Sequence, residues 1–138
     1  MIVLDTNVVS EAVRPSPSPK VLAWMRSEPI EALFITTITE AELLYGLALL
    51  ADGRRRRILE AAIAQILVTQ FSGRILPFDS AAAREFADIA VTRRRVGQPI
   101  GEADARIAAI ARSRGAALAA RNIGDFVACG VTLIDPWL

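Results

Sequence analysis

The chain has 138 residues, 53% of them hydrophobic and 22% charged, a composition typical of a folded domain that excludes an intrinsically disordered segment. Its 16 basic and 15 acidic residues give a net charge of +1, so no global field attracts nucleic acid or an anionic membrane. The chain lacks histidine and has one cysteine, Cys129, which excludes the usual zinc sites, Ser/His and Cys/His nucleophile pairs and an intramolecular disulfide. Any chemistry must therefore use carboxylates.

The first residues of the chain and the length of its apolar segments indicate where in the cell the protein is expected. No basic and apolar signal region precedes Asp5, and the longest apolar helix candidate, residues 58–68, is too short to span a bilayer. We therefore expect a reduced, cytoplasmic protein without a membrane segment.

Short apolar segments rich in β-branched residues alternate along the chain with longer segments of helical periodicity. The predicted strands are residues 2–4, 33–37, 74–78, 116–120 and 131–134, of which 116–120 is the weakest. After a first helix that follows Asp5, the predicted helices are residues 20–26, 40–50, 54–71, 80–95 and 102–114. Strands that are apolar throughout indicate a parallel sheet covered by helices on both faces. We predict one domain over residues 1–138, an α/β three-layer sandwich with a mainly parallel central sheet of about five strands.

Carboxylates occur where predicted strands turn into helices or where a helix begins. Asp5 ends the first strand, Glu42 lies just past the second, Asp104 is in the first turn of the 102–114 helix, and Asp125 follows the strand at 116–120. In a parallel sheet such positions meet at one edge. Clustered carboxylates either take up protons or bind a cation, and an all-oxygen set suits Mg²⁺ or Mn²⁺. The sequence predicts a divalent-metal site suited to activating water at a phosphodiester.

Each acid also has a purely structural interpretation, as a helix cap or as a favourable charge in the first turn of a helix. The residues open to this interpretation are Asp5, Thr6 or Asn7 for the first helix, Thr39 with Glu42 as a capping box, Asp104, and Asn122 with Asp125. Glu40 is two residues from Glu42, so the two project from nearly opposite sides of a helix and only one can join the cluster. The same holds for Glu102 and Asp104.

The residues around the acids resemble, in order and spacing, four blocks of the VapC-type PIN-domain ribonucleases. The blocks are Ile-Val-Leu-Asp-Thr-Asn at 2–7, Thr-Glu-Ala-Glu-Leu-Leu-Tyr-Gly at 39–46, Glu-Ala-Asp-Ala-Arg-Ile-Ala-Ala-Ile-Ala at 102–111, and Ala-Arg-Asn-Ile-Gly-Asp-Phe at 120–126; Ile-Asp-Pro-Trp at 134–137 is also similar. The resemblance covers nearly the whole chain. It implies a PIN-like domain that is an Mg²⁺-dependent endoribonuclease, a toxin held inactive by a cognate VapB-like antitoxin, leaving 3′-hydroxyl and 5′-phosphate ends on the cleaved RNA.

The resemblance also assigns roles to residues. It implies that Asp5 and Asp104 bind the metal, that Glu42 assists directly or through water, and that Asp125 completes the acidic pocket. Thr6 and Asn122 would orient ligands or water as neighbours of the metal ligands.

Three other functions compete with the nuclease. Ala120 stands where the family usually has threonine, which supports a catalytically inert PIN-like module that binds RNA or a partner. A haloacid-dehalogenase-type phosphatase would require a second acid where Asn7 stands. A response-regulator receiver would require adjacent acids near the first strand and a late lysine, which the chain lacks. The last two are disfavoured.

Two arginine runs and one leucine-rich helix suggest binding surfaces. Candidate RNA-backbone contacts are Arg54, Arg55, Arg56, Arg57, Arg93, Arg94 and Arg95. Residues 54–57 open a helix, where the helix dipole disfavours cations, so an external anion or an acidic partner protein is favoured there. Residues 93–95 end a helix, where the dipole favours cations, so a structural role is as plausible there as a contact with RNA. The leucines of residues 41–50 and Trp24 fit a core, but leucines on more than one helix face also favour a homodimer.

Overall fold

The apolar segments form a five-stranded sheet in which every neighbouring pair of strands is parallel, as predicted. This computed structural model describes all residues, 1–138. The strands are β1 (Ile2–Leu4), β2 (Leu33–Thr36), β3 (Ile75–Leu76), β4 (Ala117–Ala119) and β5 (Leu133–Ile134), in the spatial order β3-β2-β1-β4-β5. β1 is therefore central, with β2 and β4 on either side.

Helices connect the strands and cover the sheet. They are α1 (Thr6–Ala12), α2 (Pro19–Ser27), α3 (Thr37–Ala48), α4 (Arg54–Ala64), α5 (Ser80–Arg95) and α6 (Glu102–Ser113). α4 continues as a π-helical turn over Gln65–Gln70, and 3₁₀ turns cover Ile30–Ala32 and Ile123–Phe126. None of the helices combines the length and the apolar character required to cross a bilayer.

Most helix bounds agree with the predicted ones to within a residue or two, but α3 begins three residues before the predicted Glu40. The reason is a side-chain cap: the hydroxyl of Thr36 accepts a hydrogen bond from the backbone N–H of Thr39 at 3.2 Å. β1 has the predicted bounds, whereas the other four strands are shorter than predicted, because apolar residues at their ends, such as Phe78 and Val131, pack against the core from loops.

Alternate residues of each strand are buried on opposite faces of the sheet. Val3 and Leu118 belong to an apolar cluster formed with α5 and α6. Leu4 and Ala119 belong to a second cluster, formed with α1, α2, α3 and α4. The predicted three-layer sandwich is confirmed, and its central strand is apolar because both of its faces are buried.

The proline-rich loop after α1 is held by a buried carboxylate. Glu11 is 5% exposed, pairs with Arg14 at 3.3 Å and accepts the backbone N–H of Ser18 at 3.1 Å. A carboxylate can be buried here because a cation and a hydrogen-bond donor satisfy it.

A cap on α5 gives a stability prediction. The Asp79 side chain accepts the backbone N–H of Ala82 at 3.0 Å. We expect Asp79→Ala to lower the free energy of unfolding by about 1 kcal/mol, measured by urea denaturation. Asp79→Asn retains an acceptor and should cost much less. Equal losses in the two variants would contradict the capping role.

Candidate active site

The carboxyl edge of the sheet gathers the four predicted acids. Asp5 follows the central strand, and its backbone N–H donates to the carbonyl of Ala119 at 2.9 Å. Glu42 lies on α3, which follows β2, and Asp125 lies in the 3₁₀ turn after β4. α6 leads back into β4, so its first turn, which carries Asp104, lies at the same edge.

The charges of these acids act on one another. Burial, followed by the charges of Asp104 and Glu42, raises the pKa of Asp5 to about 6, although the backbone N–H groups of Thr6 and Asn7 oppose the rise. Burial, followed by the charges of Asp125 and Glu42, raises the pKa of Asp104.

Exposure increases from the floor of this pocket to its mouth. Asp5 is 5% exposed, Asp104 is half-buried, and Glu42 and Asp125 are exposed. We call these four residues the carboxylate pocket. Glu42 and Asp125 are therefore accessible from solvent.

A chain of threonine hydroxyls orients Glu42. The Thr6 hydroxyl donates to Oε1 of Glu42 at 2.8 Å, and its oxygen lies 2.8 Å from that of Thr39, which is fully buried. The predicted capping box of Thr39 with Glu42 is wrong, because Thr36 caps α3 instead. Sequence reasoning missed this use of Thr39; the available signal was the cluster Thr36-Thr37-Ile38-Thr39 directly before Glu42.

Asp104 stands in the first turn of α6, where the helix dipole favours an acid, so its structural role holds beside the functional one. The capping interpretation of the other residues is not supported. Asp5 and Asn122 stand at N-cap positions, yet neither side chain makes a capping hydrogen bond. Glu102 is exposed and forms an ion pair with Arg106 at 3.5 Å. Of the two acids at the start of α6, Glu102 and Asp104, only Asp104 therefore joins the pocket.

No basic side chain neutralises the carboxylate pocket through an ion pair. The six ion pairs of the structure involve none of the four acids. Asp5 and Glu11 are equally buried, but only Glu11 has a cation beside it. Burying a carboxylate without a counter-charge destabilises the fold, so the arrangement of Asp5 is explained by a role other than stability.

The donor set of the pocket fits Mg²⁺. No group of three or more acidic or cysteine side chains has the mutual spacing of a preformed metal site. Mg²⁺, however, keeps several of its waters and commonly takes only one or two carboxylates. The acidic side chains of the pocket offer only oxygen donors, and two of the four carboxylates are shielded from solvent, Asp5 fully and Asp104 partly.

The arginine runs lie in different surroundings. Arg93 is 5% exposed and donates hydrogen bonds to backbone carbonyls, so the expectation that it contacts RNA is corrected. Arg56 is part-buried, donates to the carbonyl of Leu50 at 3.0 Å and pairs with Asp52 at 3.5 Å. The remaining members of the two runs are exposed: Arg54, Arg55, Arg57, Arg94 and Arg95.

The two large grooves of the molecule lie away from the carboxylate pocket. One, of ≈ 650 Å³, is lined by residues of α1, α2, α4 and the π-helical turn, among them Leu22, Met25 and Ile66. The other, of ≈ 570 Å³, adjoins it at Val13 and includes Arg54 and Arg55. Both are beside the C-terminal end of α1, whereas Asp5 precedes its N-terminal end.

Known proteins share this sequence and architecture. The PIN domain family matches residues 2–126. "VapC ribonuclease Y4jK" of Sinorhizobium fredii is 42% identical over 137 residues, 99% of this chain and 98% of that protein. "Toxin FitB" of Neisseria gonorrhoeae is 41% identical over 99% of each chain. A solved structure of FitAB bound to an IR36 DNA fragment superposes with a TM-score of 0.94 at 40% identity, covering 100% of this chain and 96% of that one. The chain therefore belongs to the PIN-domain family and, within it, to the VapC-type group.

Proposed function

We propose that this protein is an Mg²⁺-dependent endoribonuclease, the toxin of a VapBC-type toxin–antitoxin pair. The observation that carries the proposal is the buried, cation-free Asp5 beside Asp104, Glu42 and Asp125. The ribonuclease and toxin named among its full-length relatives support the same activity. We expect the reaction to take place in the cytoplasm, where the proposed RNA substrate is found.

Asp5 and Asp104 would hold the Mg²⁺, or Mn²⁺ in its place. Bound there, the ion would lower the pKa of water and offset charge on the scissile phosphate. Attack of water on the phosphorus with departure of the 3′-oxygen would leave a 3′-hydroxyl and a 5′-phosphate. Glu42, fixed by Thr6, orients water at the mouth of the pocket, and Asp125 completes its acidic wall. Asn122, exposed beside Asp125, would order water there. The exposed Arg94 and Arg95 are the candidates for RNA-backbone contacts from the end of α5.

RNA cleavage by the purified chain tests this function. A mixed RNA pool and a single-stranded DNA pool are incubated with the protein in Mg²⁺ and in EDTA. We expect RNA cleavage with Mg²⁺ that stops with EDTA, and products that carry 5′-phosphates. Equal cleavage in Mg²⁺ and EDTA would contradict the metal mechanism. Binding of Mg²⁺ without cleavage of any RNA would favour the inert binding module.

The hydroxyl that orients Glu42 gives a second prediction. Thr6→Val removes the donor at almost constant volume, and we expect the RNA cleavage rate to fall about tenfold, as is typical when a group supporting a metal ligand is lost. Thr6→Ser keeps the hydroxyl and is the matched control. A Thr6→Val variant as active as Thr6→Ser would show that the 2.8 Å bond to Glu42 has no role in the reaction.

The partners we propose are a VapB-like antitoxin and a second copy of this chain. The joined grooves beside α1 combine apolar walls with Arg14, Arg54 and Arg55, so they suit an antitoxin segment with apolar and acidic side chains.

The surface proposed for the homodimer is the exposed side of α3. Leu43 and Leu47 of this helix pack in the core, whereas Leu44, Tyr45 and the following Leu49 remain 47%, 67% and 68% exposed. Sedimentation equilibrium of the isolated chain tests the dimer, and the mass of a single chain would contradict it.

A further inference from the structure

Arg93 is a buried cation with no acidic partner at ion-pair distance. It lies in the last turn of α5 and is 5% exposed. Its Nε donates to the carbonyl of Gln98 at 2.7 Å, and its Nη1 lies 2.6 Å from the carbonyl of Asp125 and 2.9 Å from that of Val127. The same nitrogen lies 3.8 Å from Sγ of Cys129.

These contacts join the two segments that carry acids of the carboxylate pocket. Gln98 is in the loop that leads from α5 into the first turn of α6, where Asp104 lies. Asp125 lies in the 3₁₀ turn after β4, and Val127 directly follows that turn. One guanidinium therefore holds the backbone on which Asp125 stands against the backbone that leads to Asp104.

The end of α5 does not require this side chain. The backbone N–H of Gln98 donates to the carbonyl of Arg93 at 2.9 Å, and that of Gly97 to Arg94 at 3.1 Å. Gly97 has a φ of 74°, so the helix ends in a Schellman motif made by the backbone alone. A role as a simple helix-end charge therefore leaves the contacts of Arg93 with Asp125 and Val127 unexplained.

The charge of Arg93 also has a counterpart in the pocket. A buried guanidinium is always protonated and requires compensation. Its hydrogen bonds go to neutral carbonyls, while its charge acts on the carboxylate of Asp104 without an ion pair between them. Because Arg93 makes no ion pair, the oxygens of Asp104 remain available to a metal ion.

We propose that Arg93 is a positioning residue of the carboxylate pocket, which fixes the Asp125 segment relative to Asp104. It acts through the backbone and not by touching RNA. This inference rests on the proposed function for its effect on the reaction, but its effect on the protein can be measured without RNA.

The test compares Arg93→Lys and Arg93→Met with Arg84→Met, a control at an exposed arginine on the same helix. Calorimetry measures Mg²⁺ binding, and hydrogen exchange of the metal-free protein reports protection of residues 123–129. We expect both Arg93 variants to lose protection in this segment and to bind Mg²⁺ about tenfold more weakly, with the control unchanged. If Arg93→Met does not fold, Arg93→Lys carries the test. Unchanged protection and unchanged Mg²⁺ affinity would overturn the proposal.

A double-mutant cycle with Asp125→Asn separates positioning from general destabilisation. If Arg93 acts through Asp125, Arg93→Lys should slow RNA cleavage about tenfold in the wild-type background and little in Asp125→Asn. Equal slowing in the two backgrounds would overturn the proposal. A wild-type chain that binds Mg²⁺ but cleaves no RNA would refute the proposed function alone, and the binding and exchange measurements would still decide the role of Arg93.

Discussion

Asp5→Asn and Asp104→Asn are each expected to abolish RNA cleavage in Mg²⁺. Each removes a carboxylate that we assign to the metal while keeping the size and polarity of the side chain. We expect the rate to fall by roughly 1000-fold or more, which corresponds to about 4 kcal/mol of transition-state stabilisation. The measurement is the single-turnover cleavage rate of one RNA at saturating protein.

Asp52→Asn is the matched control, because it makes the same chemical change at an exposed aspartate outside the carboxylate pocket. It should cleave RNA at the wild-type rate. If the wild type, Asp5→Asn and Asp104→Asn all cleave RNA at a similar rate, the carboxylate pocket is not the site of the reaction.

Asp5→Asn should also make the metal-free protein more stable at neutral pH. The pKa of Asp5 is raised from 3.8 to about 6, so the native state keeps a proton that the unfolded chain has already lost between these values. The free energy of unfolding of the wild type therefore falls as pH rises from about 4 to above 6. Asparagine carries no such cost, and we expect a gain of up to about 3 kcal/mol at pH 7.5.

Urea denaturation in EDTA at several pH values measures this gain. The difference between Asp5→Asn and the wild type should be near zero at pH 3, where Asp5 is largely protonated in both states, and should grow through pH 6. A variant less stable than the wild type at pH 7.5, or a difference independent of pH, would contradict the buried, unneutralised carboxylate. Loss of activity with a gain in stability would mark Asp5 as a functional residue.

The layers of the fold could be predicted because apolar strands and amphipathic helices leave distinct periodic patterns. The convergence of Asp5, Glu42, Asp104 and Asp125 could be predicted because strand ends of a parallel sheet meet at one edge. The start of α3 could not be predicted, because the hydrogen bond that the Thr36 hydroxyl accepts extends the helix beyond its apolar pattern.

Side-chain partners were harder to predict than positions. A run of three arginines indicates a solvated helix end, whereas in the structure Arg93 is buried and donates to the carbonyl of Asp125, a contact distant in sequence. Ala120, the departure that supported an inert module, is fully buried in the apolar cluster with Ile107 and Phe126. Its side chain is therefore part of the core and not of the exposed wall of the carboxylate pocket.

In the proposed mechanism Asp5 and Asp104 together hold a divalent cation, which calorimetric titration with Mg²⁺ can measure without RNA. The wild type and Asp52→Asn should bind Mg²⁺ with the same affinity, and Asp5→Asn and Asp104→Asn should each bind at least tenfold more weakly. Wild-type affinity in both pocket variants, or no binding by the wild type, would contradict the account.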